Sequence, residues 1–266
     1  MKKNIQWCHI YLAVVLVIIY VPIVAVVVYS FHSSKLAVGW SGFTLDWYKK
    51  LWNNHGIMEA VRNSLILGVV SSLLAAAIGM AAAVAMAGRH SGSQKFMENL
   101  AMMPILIPEI ILGMIFLSYF SLLHLPMGMV TLVIAHTAFC IPYIYMLVKS
   151  RLAGMDPSMV EAARDLGADG TRAFWDITLP YLMPAVLSGS LLAFAMSWDD
   201  VVISIFVNGP RLNTLPIKIY TQIKTGVTPE INALCTVILI ITIGIMIVAN
   251  AVRRRGQATL QKSQQQ

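Results

Sequence analysis

The sequence predicts an all-α polytopic membrane protein with six transmembrane helices. Of 266 residues, 58% are hydrophobic and only 12% charged, too apolar a balance for a soluble domain of this length. The apolar residues gather into six runs, each near the ~20 residues needed to cross a hydrocarbon core. Lys and Arg collect between those runs and not within them.

The first run, about 10–29, follows Lys2 and Lys3. It is long for a secretory signal core, and Val28-Tyr29-Ser30 lacks a small-x-small cleavage pattern, so it reads as a retained span. The second to fifth runs are about 64–87, 100–120, 129–148 and 182–207, and the sixth is 233–252. Pro104, Pro108, Pro142 and Pro184 in or near them imply kinked or broken helices. The connection 31–61 carries Trp40, Trp47, Tyr48 and Trp52, suited to an interfacial layer. The connection 208–232 alternates turn signals with a short apolar piece and reads as a structured cap. Residues 1–255 are thus one transmembrane domain, and the Gln-rich tail 256–266 is expected to be disordered.

Six spans put both termini on one side. Twelve Lys and Arg flank the spans on that side, against seven on the other, with Arg253-Arg254-Arg255 directly after the last run. The positive-inside rule makes that side, and both termini, cytoplasmic. The formal net charge of +7 therefore reflects topology and not nucleic-acid binding. Cys8, Cys140 and Cys235 have no metal-site spacing and form no even-numbered framework. Sixteen methionines, most of them within the runs, are packing filler before they are a metal path.

The chain is organised around EAARDLGADGTRAFWDITLP (161–180), a polar stretch between apolar runs. Asp156-Pro157 opens a helix with a capping residue and a proline tolerated at its first position. Met159, Ala162, Ala163 and Leu166 recur at helical spacing. Gly167 stands where the helix must end in the left-handed conformation. Asp169-Gly170 turns the chain, Thr171 is expected to cap a second short helix carrying Phe174 and Ile177, and Pro180 is expected to force a break. Two short hinged helices outside the bilayer either fill a groove on a partner or only join two spans.

Glu161-Ala162-Ala163, Gly167, Ile177, Leu179 and Pro180 resemble the EAA loop of the permease subunits of bacterial ABC importers. The resemblance implies the type I ABC importer permease fold, in which this loop docks on the ATPase subunit and transmits its motion. Glu161 and Gly167 are the positions carried over as coupling residues.

Three acids fall within the runs: Glu109, Asp199 and Asp200. Each costs about 2.5–3.5 kcal/mol at a helix centre on insertion scales, so they face protein or water. They cap broken helices, are protonated, or meet a cation. Adjacent carboxylates raise each other's proton affinity unless a cation is near, and a cationic substrate supplies that charge at Asp199-Asp200. Trp198 and Tyr220 offer aromatic faces for an ammonium, or simply pack.

SWDDVVISIFVNGP (197–210), LPIKIY (215–220), GVTPEINAL (226–234) and ITLPYLMPAVLSG (177–189) are similar to the permeases of spermidine/putrescine importers, closest to the second of their two permease subunits. The resemblance implies a second homologous permease, two ATP-binding cassette subunits that carry ATP and Mg, an extracytoplasmic substrate-binding protein, and a polyamine cargo. Relatives carrying other small solutes share the scaffold, so another cargo stays open.

The chain has no G-x-x-x-x-G-K-[ST] phosphate loop and no nucleophile or metal motif. It is expected to be non-catalytic and to bind no cofactor, with energy supplied by other subunits. Of the six histidines only His136 lies deep in a span, where a hydrogen bond to a neighbouring helix is expected. A self-sufficient carrier driven by an ion gradient is the rival reading; the absence of an internal repeat weakens it.

Overall fold

The computed structural model describes residues 2–34, 41–87, 92–210, 212–226, 228–244 and 247. Trp40, Arg253-Arg254-Arg255 and the tail 256–266, on which parts of the topology reading rest, lie outside the described residues. The helices are α1 (Lys2–Tyr29), α2 (Asp46–Asn53), α3 (His55–Ala85), α4 (Gly92–Leu106), α5 (Glu109–Leu122), α6 (Met129–Ala153), α7 (Ser158–Asp165), α8 (Gly170–Ala173), α9 (Leu179–Asp199), α10 (Val202–Val207) and α11 (Leu215–Thr225), followed by α12 (Pro229–Gly244). A π turn, Phe174–Thr178, joins α8 to α9. Among the described residues four helices are long and apolar enough to cross a membrane, or five if α4 and α5 count as one broken span. The expected six spans are not all present as separate continuous helices.

Two spans differ from the sequence reading. The run 100–120 is not one helix: α4 and α5 meet at a bend of 110°. Pro108 is responsible, since it adopts an extended conformation (ψ 136°) and has no N–H with which to continue α4. Pro104, one turn earlier, stays inside α4. The run 182–207 is likewise two helices, because Asp200 is extended (ψ 123°) and ends α9.

The chain divides into two units: residues 56–220, and residues 1–55 with 221–266. In the first, buried side chains recur at three- and four-residue spacing on each long helix, which draws one stripe along each. On α9 the stripe is Leu182, Val186, Gly189 and Ala193. On α6 it includes Phe139, Cys140, Ile144 and Val148, and on α3 mostly small residues such as Ala75, Ala76, Gly79 and Ala83. Small residues allow close approach, as membrane helices need in the absence of a hydrophobic drive between them. Ile144 illustrates it: a Cβ on Gly79 of α3 would lie 3.1 Å from its Cβ, and one on Gly189 of α9 would lie 3.2 Å from its Cγ1.

In the second unit α1 is exposed along nearly all its described length. The turn after it is pinned by an isolated bridge between His32 and Phe43, with Phe31 stacked on Phe43 at 5.2 Å. The Trp47 indole N–H donates to His32 O at 2.7 Å, and Ser30 Oγ and Tyr48 OH share a 2.7 Å hydrogen bond. Asn54 Nδ2 donates to Glu230 Oε1 at 2.7 Å, which ties α2 to α12.

Candidate functional site

Two regions gather the residues singled out above: the polar elbow between α6 and α9, and the break between α9 and α10.

The elbow begins where Asp156 Oδ1 accepts the Ser158 N–H at 2.9 Å. That bond to the backbone holds the Asp156 carboxyl below its ordinary pKa. The helix α7 ends as the sequence predicts. Gly167 is left-handed (φ +87°), with its N–H on Arg164 O and the Ala168 N–H on Ala163 O at 3.0 Å. The cap of α8 is Asp169 and not Thr171. Asp169 is extended, and its Oδ1 accepts the Arg172 N–H at 2.7 Å. Nor does Pro180 break the chain. It sits in the first turn of α9, directly after the π turn, whose wider ring accommodates the missing donor that a tight helix would not.

No residue of α7 is buried. Glu161 and Ala162 are exposed, and so is Pro180; Ala163, Ile177 and Leu179 are half-buried. Leu166 is 90% exposed and Trp175 60%. Both ends of the elbow are fastened together. The Tyr181 hydroxyl donates to Gly154 O at 2.9 Å, Arg151 Nε donates to Tyr181 O at 3.2 Å, and the Arg151 guanidinium lies 4.2 Å from the centre of the Tyr181 ring. The end of α6 and the start of α9 therefore carry the elbow as one piece.

At the second region a cleft of about 480 Å³ is lined by Glu109, Phe139, Ala195, Met196, Asp199, Asp200, Val201 and Val202. Both helix breaks build it. Pro108 ends one segment so that Glu109 opens α5, and Asp200 ends another so that Asp199 closes α9. Glu109 and Asp199 are exposed, and among the described residues neither has an ion-pair partner. Asp200 also borders the cleft, but its side chain is only 4% exposed; the rest of the lining is apolar or aromatic. The cleft thus offers two exposed carboxylates, Glu109 and Asp199, and hydrocarbon walls, a set that suits a cation with an alkyl stem.

Asp200 behaves differently from its neighbour. Its Oδ2 accepts the Ser204 N–H and the Ser204 hydroxyl, each at 2.8 Å, and its Oδ1 accepts the Ile203 N–H at 3.1 Å. It caps α10, one of the roles the sequence left open. His136 Nε2 lies 3.4 Å from the same Oδ2. The expected hydrogen bond from His136 to another helix is present, with Nδ1 2.8 Å from Ser197 Oγ on α9.

Trp198 and Tyr220 are not among the residues lining the cleft. Trp198 stacks on Phe194 at 6.0 Å, and Tyr220 lies on α11, partly exposed. The aromatic wall is instead Phe139, a residue the sequence reading passed over. Its only signal was its position one turn after His136 on α6.

Residues 75–262 match the family model of binding-protein-dependent transport system inner membrane components. The chain is 39% identical over 236 residues to the spermidine/putrescine transport system permease protein PotC of Escherichia coli (strain K12), covering 89% of each. It is 42% identical over 229 residues to the putrescine transport system permease protein PotI of the same organism, covering 83% of this chain and 81% of the relative. A chain of the bacterial alginate ABC transporter, solved with an alginate pentasaccharide-bound periplasmic protein, superposes with a TM-score of 0.73 at 16% identity, covering 96% of this chain and 95% of that one. That likeness is one of fold.

Proposed function

We propose a function from one premise: the chain belongs to the family of binding-protein-dependent transport system inner membrane components. It is an ABC importer permease of the inner membrane, homologous to the polyamine permeases PotC and PotI. In our reading its cargo is a polyamine such as spermidine or putrescine. It would pair with a second, similar permease, two cytoplasmic ATPase subunits holding ATP and Mg, and an extracytoplasmic binding protein. Both termini would be cytoplasmic. The chain itself would be non-catalytic.

The observation that carries the cargo assignment is the cleft with Glu109 and Asp199 exposed in it and an apolar wall of Phe139 and Met196. A polyamine is a row of ammonium groups on methylene spacers. Carboxylates would offset its charge, while Phe139 would take a methylene stem or a cation on its face. At the other region, exposed Glu161, Ala162 and Leu166 would meet the ATPase, with Ala163 and Gly167 shaping the bend. Ile177, Leu179 and Pro180 would carry movement into α9. The fastening of Gly154 to Tyr181 supports this lever reading, because a force on the elbow would reach α6 and α9 together. Closure of the ATPases would turn the spans from inward-open to outward-open, and loaded binding protein would in return stimulate ATP hydrolysis.

The test is ATPase stimulation and uptake by the reconstituted complex across polyamines, amino acids and anions. Polyamine-loaded binding protein should stimulate hydrolysis, and Asp199→Asn with Glu109→Gln should reduce polyamine uptake at least tenfold while assembly persists. Stimulation by an anion, or unchanged uptake by the double variant, would reject the cargo assignment.

A further inference from the structure

Asp199 and Asp200 are adjacent and chemically identical, yet only one is turned outward. Asp200 is held by α10 and also faces a ring on a different helix. The Asp200 side chain is 4% exposed and that of His136 is 0% exposed. The Ser204 hydroxyl has one proton and gives it to Asp200 Oδ2 at 2.8 Å. Its 3.1 Å contact with His136 Nε2 therefore has the imidazole N–H as donor. Nε2 carries the proton, and it points at the Ser204 oxygen and the Asp200 carboxylate together. Nδ1 lies 2.8 Å from Ser197 Oγ. Ser71 Oγ of α3 donates to Leu67 O at 2.6 Å, and its oxygen lies 3.1 Å from Ser197 Oγ.

The His136 imidazole on α6 is thus the hub of a buried polar chain running through α3, α9, the helix break and α10. Such a network is rigid when every member is satisfied. Without it, a buried carboxylate that had lost its imidazole partner would have reason to turn towards the water of the cleft. The φ/ψ values that end α9 at Asp199 would then no longer be held.

We infer that His136 is a positioning residue for transport: by helping to hold the Asp200 carboxylate inward at the head of α10, it leaves Asp199 as the exposed one of the two acids bordering the cleft, and so as the ligand for cargo ammonium. This rests on the reading of the cleft as a cation site. Asp200 is then structural, and the cargo meets one carboxylate from this break and one from the break at Glu109. His136 touches no cargo and acts through Asp199.

The experiment measures putrescine and spermidine uptake by the complete reconstituted transporter, at matched amounts of assembled complex. His136→Leu should raise KM at least tenfold with the maximal rate within about threefold. His136→Gln, which keeps an N–H donor and an acceptor, should recover most of that loss. In an Asp199→Asn background His136→Leu should raise KM no further. A second arm is independent of cargo. With the native cysteines replaced, Asp199→Cys is labelled by a cationic thiol reagent, and the rate should fall at least fivefold with His136→Leu and recover with His136→Gln. A maximal rate that falls with KM unchanged, additive effects of the two substitutions, or a labelling rate indifferent to residue 136 would each overturn the inference. If the wild-type complex takes up neither amine, the cargo reading fails and labelling alone decides the positioning role. If His136→Leu does not assemble, the Gln variant decides, since KM and labelling at or near wild-type values support the inference and values as altered as expected for Leu overturn it.

Discussion

Replacing Gly209 by alanine isolates the seat on which α10 rests. A Cβ at Gly209 would press into the carbonyl oxygen of Met127, with the Met127 carbonyl carbon at 3.1 Å and Gly128 Cα at 3.2 Å. Every one of those atoms is backbone, so no side chain can swing aside. Overpacking of this kind costs about 1–3 kcal/mol. The displacement would also stretch the bond from Thr131 Oγ1 to Val207 O, now 2.9 Å, for about 1 kcal/mol more. The sum is roughly 2–4 kcal/mol, and the Tm of the assembled complex should fall measurably. Gly128→Ala is the control. It borders the same seat, but its backbone is extended (φ 165°) and a Cβ there meets nothing within 4 Å. Thermal unfolding of the purified complex in detergent reads both. A Gly209→Ala complex that melts with wild type, or a Gly128→Ala complex that melts as low as Gly209→Ala, would refute the steric reasoning.

Two further predictions concern the elbow. Tyr181→Phe keeps the ring under Arg151 but loses the bond to Gly154 O, about 0.5–1.5 kcal/mol of local stability; amide exchange over 154–178 should quicken, and uptake per ATP hydrolysed should fall if the elbow is the proposed lever. Gly167→Ala meets no steric obstacle but must hold φ +87°, at roughly 1–2 kcal/mol; Gly167→Asn should cost less, and equal melting of the two variants would count against the conformational argument.

The parts of this molecule that could be read from the chain are those decided by near neighbours. Gly167 ends α7 in the left-handed conformation because no other residue type adopts it as cheaply, and Asp156 caps because Pro157 follows it. The burial stripe of α9 needs only periodicity. Pro108 announced a disturbance, but the 110° between α4 and α5 depends on what each helix packs against. Pro180 was misread because the π turn that accommodates it has no signature in the residues before it. Thr171 lost the cap to Asp169 for a local reason: the extended Asp169 backbone brings its carboxylate to the Arg172 N–H. The division of labour between Asp199 and Asp200 was beyond sequence reasoning altogether. Of two identical neighbours, one is held by the amides of α10 and faces an imidazole on another helix, and only the folded arrangement brings that ring to it.

The wide turn at Phe174–Thr178 holds one residue more than an ordinary turn would. The short helix α8 directly before it is consequently rotated by about 100° around the axis of α9 relative to a plain helix. Deleting a single residue there would leave Leu182, Val186, Gly189 and Ala193 seated against α6, yet swing Trp175 and the segment ahead of it to another quarter of the compass. The aim of that surface is thus set by one residue of register in the turn, separately from the stripe that seats α9 on α6.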